Sequence, residues 1–286
     1  MRWQKGRRSQ NIEDRRGRPG RGRRVAAGGG LGMVAIAVVA MLLGVDPGML
    51  MKIGGGLIGG GPSSQAPAPT SAQQDQQKEL VSVVLADTED TWRAIFNQMG
   101  RQYSEPNLVL FSGSTDSACG YASAAMGPFY CPGDQKLYID LNFYSELQHK
   151  FGAPGDFAQA YVVAHEVGHH VQTLLGISDQ VQRAKRGVSE AQSNDIQVRM
   201  ELQADCMSGV WANHAHRSRN LLERGDIEEG LTAAAAIGDD TLQRKARGYV
   251  VPESFTHGSA KQRQSWFFRG LESGDINQCD TFSGSI

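Results

Sequence analysis

The 286-residue sequence has four cysteines and no CxxC pair. A zinc ribbon or finger built on thiolates is thereby excluded as a leading reading. An even number of cysteines fits instead a disulfide-bonded domain outside the reducing cytoplasm. Three pairings are possible. Cys119 with Cys131, across a short Gly/Ala/Pro-rich segment, is the preferred one, and it leaves Cys206 for Cys279. No repeat of fixed period is present, which excludes solenoids and propellers. The strongly basic N-terminal run has a single aromatic, Trp3, and leads straight into an uncharged stretch, so no nucleic-acid partner is expected.

Charge is also missing from one long stretch. Residues 25 to 45, "VAAGGGLGMVAIAVVAMLLGV", carry no charged side chain, which is about the length of a helix crossing a bilayer core. The net charge of −1 conceals an asymmetry, since residues 1–24 hold ten Lys/Arg against two acids. The positive-inside bias then puts the N-terminus in the cytoplasm and the chain after Asp46 on the periplasmic or extracellular side. A cleaved signal peptide is the rival reading, because residues 31–43 have the size of a signal core, and Gly28 to Gly30 weaken the span. No small-x-small cleavage site follows directly, which favours an uncleaved single-pass anchor.

The expected organisation is a basic cytoplasmic segment (1–24), a transmembrane anchor (25–46), a Gly/Pro/Gln-rich linker (47–80) and a folded domain (81–286). As a flexible coil of about 34 residues the linker reaches roughly 30 Å, so substrates are expected near the membrane. Within the domain, "DTEDTWRAIFNQMGRQY" reads as a capped amphipathic helix with Trp92, Ile95, Phe96 and Met99 on its apolar side. "NLVLFSG" and "KLYIDLNFY" read as two of two or three strands in a small sheet. From about Asp156 to Gln243 the period is helical.

The chemistry is concentrated in "AQAYVVAHEVGHHVQTLL", residues 158–175. His165-Glu166-Val167-Gly168-His169 is H-E-x-x-H, and on a helix two histidines four apart share a face and can reach one metal ion. Glu166 flanks that ion and can accept a proton from its water. With seven histidines in the chain, chance gives this motif in roughly 0.8% of such sequences, so context has to support it. The flanking sequence is apolar around most of the helix, as in a buried segment. Gly168 inside it costs about 1 kcal/mol relative to Ala, a loss understandable if another backbone or a substrate comes close. A catalytic zinc needs a third protein ligand. "NDIQVRMELQADCMSGVWA" supplies Glu201, with Asp205 four residues on to fix the tautomer of His165 or His169. Alone, Glu201 and Asp205 would be an exposed acidic pair; some 30 residues after H-E-x-x-H the ligand reading is preferred.

"AHEVGHHVQ" followed by "ELQADC" resembles the neutral zinc metallopeptidase family of bacterial membrane-anchored proteins. More distantly it is similar to gluzincin peptidases, whose H-E-x-x-H is completed by E-x-x-x-D. The resemblance covers roughly residues 81–286, including "CGYASAAMGPFYCPGD", "LYIDLNFY" and "SFTHGSAKQR". It implies a zincin-like α+β fold, mostly helical with a small sheet, and Zn2+-dependent hydrolysis of peptide or protein substrates. It also implies a substrate-facing edge at the strand near Leu137 to Leu141. By analogy with downstream histidines of some gluzincins, His257 is the candidate donor to the oxyanion, with Tyr249 in reserve. His170 points about 100° from His169 and is a poor ligand for the same ion. His149, His214 and His216 read as surface residues, and Trp211, Trp266, Phe267 and Phe268 as core rather than a substrate platform. The competing function is a non-catalytic envelope scaffold stapled by the same metal cluster. A structural site has no use for Glu166.

Overall fold

The computed structural model describes residues 1–17 and 71–286. The expected anchor, 25–46, lies outside the described residues, as does the linker up to residue 70. Among the described residues no helix is long and apolar enough to cross a membrane. The fold is α+β, mostly helical with a small sheet. In chain order the elements are β1 (Ile12–Asp14), α1 (Ser71–Gln98), β2 (Asn107–Phe111), β3 (Ser114–Ser117), β4 (Gly120–Ser123), β5 (Phe129–Cys131) and β6 (Lys136–Asp140). Then come α2 (Asn142–His149), α3 (Asp156–Leu174), α4 (Ile177–Ala184), α5 (Glu190–Arg219), α6 (Asp226–Ala236), α7 (Asp239–Arg247) and α8 (Ala260–Ser273).

The two sequence-read strands are β2 and β6, paired in parallel with Leu108 opposite Leu137. The sheet order is β1-β2-β6-β5, with β3 and β4 in a separate hairpin. β6 is therefore an interior strand. The substrate-facing edge expected near Leu137 to Leu141 is covered over its first part, because β5 runs antiparallel there with Tyr130 opposite Leu137 and Phe129 opposite Tyr138, while Ile139 and Asp140 lie beyond that pairing. A three-residue strand is too short to show a period, so the sequence carried little sign of it.

α1 begins at Ser71, ten residues inside the stretch read as linker, and Asp87 to Glu89 lie mid-helix rather than at a cap. The reason is the apolar run Leu80 to Leu85, whose Val81, Val84 and Leu85 are fully buried. Trp92, Ile95 and Phe96 are buried as expected, whereas Met99 lies beyond the helix and is exposed. The long helix α5 is started by a capping box, with Ser189 and Gln192 each bonding the other's backbone, and α8 by a second one from Ser259 and Gln262. α8 lies so close along α5 that a Cβ on Gly270 would fall 1.9 Å from the Cys206 carbonyl oxygen. Both disulfides have the preferred pairing. Cys119–Cys131 ties the β3–β4 hairpin to β5, and Cys206–Cys279 ties α5 to the C-terminal segment. Trp211, Trp266 and Phe267 are core, while Phe268, one position round the helix, is exposed.

The first 17 residues differ most from expectation. They belong to the same compact unit as the helices. β1 is the outer strand beside β2, and Trp3 is buried with its indole N–H donating to Asp156 at 3.0 Å. Asp156 opens α3, the motif helix. The basic arm read as a separate segment, 1–24, is thus folded into the domain over at least its described part.

Candidate metal centre

α3 is apolar on nearly all sides: Phe157, Ala160, Tyr161, Val163, Val167 and Val171 are fully buried against the surrounding helices. That burial fixes the rotation of the helix and with it the direction of His165 and His169. α5 crosses beneath them. The two helices meet tightly at Gly168, where a Cβ would lie 3.1 Å from the Cα and the carbonyl oxygen of Ala204. The glycine is there because a second backbone is. Ala204 lies between Glu201 and Asp205, so the same contact that needs Gly168 delivers both carboxylates to the motif.

The Nε2 atoms of His165 and His169 lie 3.2 and 3.3 Å from one oxygen of Glu201, Oε2. Donor atoms of these three residues all fall within 4.8 Å of one another. A tetrahedral zinc, with bonds of about 2.0–2.1 Å, separates its ligand atoms by roughly 3.4 Å. The donor set and its spacing fit that ion. The remaining ring nitrogens are already engaged. His165 Nδ1 is 2.8 Å from Asp205 Oδ1, while His169 Nδ1 is 2.8 Å from Gln172 Oε1. Of the two histidines left open for Asp205, it is His165 that the carboxylate meets. Both imidazoles thereby present Nε2 toward Glu201, the arrangement that orients metal-binding histidines. The second Glu201 oxygen accepts from Gln197 Nε2 at 2.7 Å.

Asp205 is fully buried and therefore needs partners. It has three: His165, the Tyr161 hydroxyl at 2.5 Å, and Arg263, whose Nε and a terminal nitrogen donate at 2.8 and 2.9 Å. Burial opposes ionisation of Asp205, but the Arg263 and His165 charges and hydrogen bonds outweigh it and hold the carboxyl at about 2. Burial likewise pulls His165 down, and the Asp205 and Glu201 interactions outweigh it and lift the ring to about 10. His169 is raised against burial by Glu201, and Glu201 is held well below the usual carboxylate range by the two histidines despite its own burial. The Glu201 and Asp205 carboxylates thus favour positive charge on or beside the two rings. Arg263, Tyr161, Gln172 and Gln197 were all missed in the sequence. Arg263 had a signal, since it shares a helix face with Phe267 and Gly270, four and seven residues on.

The centre opens into a cleft of about 490 Å³ lined by Glu166, His257, Tyr161 and Arg263 together with Met126, Phe129, Tyr130, Phe143 and Phe151. Glu166, beside His165, is 8% exposed. His257 faces solvent at the cleft, with its ring 3.5 Å from Asp239. Desolvation by the cleft wall lowers its pKa, but the Asp239 hydrogen bond and the Glu201 charge raise it overall. Tyr249, the reserve donor, is exposed beneath Arg247 and is not among the cleft residues. His170 is fully buried, bonded to the Tyr130 hydroxyl and the Ser104 carbonyl and turned away from the cluster. His149 and His216 are exposed, while His214 is half-buried against the Gly274 carbonyl. A second acidic group, Asp156, Asp226 and Glu229, faces the Met1 ammonium, which bonds Asp156 and Asp226.

The family described as "Putative neutral zinc metallopeptidase" matches residues 1–282. The chain belongs to this family. Among curated relatives of this zinc metallopeptidase-family protein, the Escherichia coli (strain K12) uncharacterized protein YpfJ is 50% identical over 295 residues, covering all of both chains. The Mycobacterium tuberculosis (strain H37Rv) uncharacterized protein Rv2575 is 42% identical over 261 residues, 86% of each chain. No solved structure matches this member of the family.

Proposed function

We propose that the protein is a zincin-like, zinc-dependent endopeptidase whose metal is held by His165, His169 and Glu201 and whose general base is Glu166. The observation that carries this reading is the convergence of three metal donors and a spare carboxylate on one open cleft. Zinc bound there would act as a Lewis acid toward water and the scissile carbonyl. Glu166 takes the proton of the attacking water and returns it to the leaving amine. His257, at the cleft with its pKa raised, donates to the developing oxyanion. Asp205 holds His165 in the tautomer that presents Nε2, and Arg263 and Tyr161 hold Asp205. An extended peptide lies beside β5, the strand at the end of the sheet, whose Phe129 and Tyr130 line the cleft. Main-chain pairing of that kind is a general mode of peptide recognition.

A non-catalytic scaffold stapled by the same ion accounts for the three ligands but gives Glu166 nothing to do at the wall of an open cleft. Glu166→Gln is the deciding variant. It should retain one zinc per chain and lose hydrolysis of an unfolded protein substrate. Undiminished hydrolysis removes Glu166 from the mechanism, and a zinc-loaded parent with no hydrolysis of any peptide library favours the scaffold.

A further inference from the structure

A single membrane crossing between the basic arm and the helices is what charge and hydropathy lead one to expect. It would hold the two apart across about 30 Å of hydrocarbon. In the folded chain they are in contact. β1 pairs in parallel with β2 over Ile12↔Leu108, Glu13↔Val109 and Asp14↔Leu110, and paired strands lie about 4.8 Å apart. We propose that residues 1–17 and 71–286 lie on the same side of any membrane the chain meets, so that the arm is a structural part of the folded domain.

Three kinds of contact carry the proposal independently of one another. The first is the strand pairing. The second is apolar burial: Met1 and Trp3 are 6% and 7% exposed, and Trp3 also bonds the first residue of the motif helix. The third is charge matching. Arg7 pairs with Glu89 and Asp90, Arg8 with Glu79, Arg16 with Asp75, and Arg2 with Glu223, at 2.8 to 3.5 Å. The arm's own acids are used as well, since Lys78 pairs with Asp14 and Lys136 with Glu13. Ser9 and Asn11 add hydrogen bonds to the buried Glu89.

That pairing changes what the basic residues mean. The positive-inside rule counts Lys and Arg near a span and gives acids little weight, so it is blind to such pairing. Here Arg2, Arg7, Arg8 and Arg16 meet acids elsewhere in the folded chain, so folding accounts for their presence without reference to sidedness. The family match also begins at residue 1. Because the domain holds two disulfides, the shared side is expected to be the oxidising one. None of this rests on the peptidase reading.

The test is thiol labelling of the full chain in cells. All four native cysteines are in disulfides, so a substituted thiol is the one a membrane-impermeant maleimide reads. Gln10→Cys marks the arm and Arg224→Cys the domain, both at exposed positions, with Lys5→Cys as a second arm marker. The expected result is that arm and domain markers label together, either in intact spheroplasts or, together, only after permeabilisation. Labelling of one marker in intact spheroplasts and of the other only after permeabilisation overturns the proposal.

Discussion

Gly168→Ala sets two effects of similar size against each other at the point where α3 and α5 touch. Alanine is favoured over glycine in a helix by about 1 kcal/mol. Against that, the new Cβ would lie 3.1 Å from two backbone atoms of Ala204 and 3.3 Å from its Cβ, closer than the optimum of about 3.5–4.0 Å for non-bonded carbons. Overpacking of this kind costs about 1–3 kcal/mol, because backbone cannot rotate away as a side-chain tip can. The net change in folding stability is therefore small, about 0–2 kcal/mol unfavourable. Metal binding should suffer more. Relief comes from α5 retreating by a few tenths of an ångström, and Glu201 and Asp205 retreat with it. Glu201 must reach the same ion as both Nε2 atoms, and ligand–metal distances tolerate only about 0.2 Å. A loss of zinc affinity of about 10–100-fold is expected, the range seen when groups orienting a ligand are disturbed. Competition with a chromophoric chelator reads the affinity, and urea melts of the zinc-free protein read the stability. Adding Ala204→Gly removes the 3.3 Å contact and leaves those at 3.1 Å, so it should recover the loss only in part. A Gly168→Ala protein that is stabilised and binds zinc as tightly as the parent would refute the claim that this crossing sets the ligand geometry.

Arg263→Met strips Asp205 of two hydrogen bonds and its buried counter-ion; a loss of about 3–5 kcal/mol is expected in urea unfolding. Asp205→Asn in the same chain should give a combined loss smaller than the sum of the two single variants. Trp3→Ala should cost about 3–5 kcal/mol, as for other buried aromatics, even though the residue lies in the basic arm. A change below 0.5 kcal/mol, the ordinary range for surface sites, would mean the arm is not docked. Asp205 also predicts a pH dependence, since its folded pKa of about 2 is below the unfolded value of 3.8. Its contribution, about 2 kcal/mol by linkage, is fully present above pH 3.8 and lost as pH falls through 2. Acid unfolding of the zinc-free protein should show that slope, and Asp205→Asn should flatten it.

What was legible in the sequence was what a single helix determines. His165 with His169, and Glu201 with Asp205, are each four apart, and a helix of known period fixes which face they share without reference to anything else. Glu201 could be named because a metal reading demanded a third donor, and Gly168 because a glycine in a buried helix asks for a close neighbour. Arg263 answers to neither kind of argument. In "AKQRQSWFFRG" its spacing from Phe267 and Gly270 puts it on their face of the helix, but it is the packing of α8 on α5 that buries it while Arg269, six residues on, is left to stack on Trp266 at the surface. The edge strand was misjudged for a related reason: strand order is set by pairings between distant segments, and β5 is three residues long. The arm is the extreme case. Its partner β2 is 96 positions away, Ile12 facing Leu108, and its composition is dominated by arginines whose matching acids are spread from Asp75 to Glu223. Composition sums charges over a segment, whereas folding pairs them across the whole chain. A run of like charge beside an uncharged stretch therefore supports two readings, a membrane flank or one half of an ion-pair set. What separates them is the packing, in which Trp3 is buried and Ile12 pairs opposite Leu108, contacts that a solvated flank does not make.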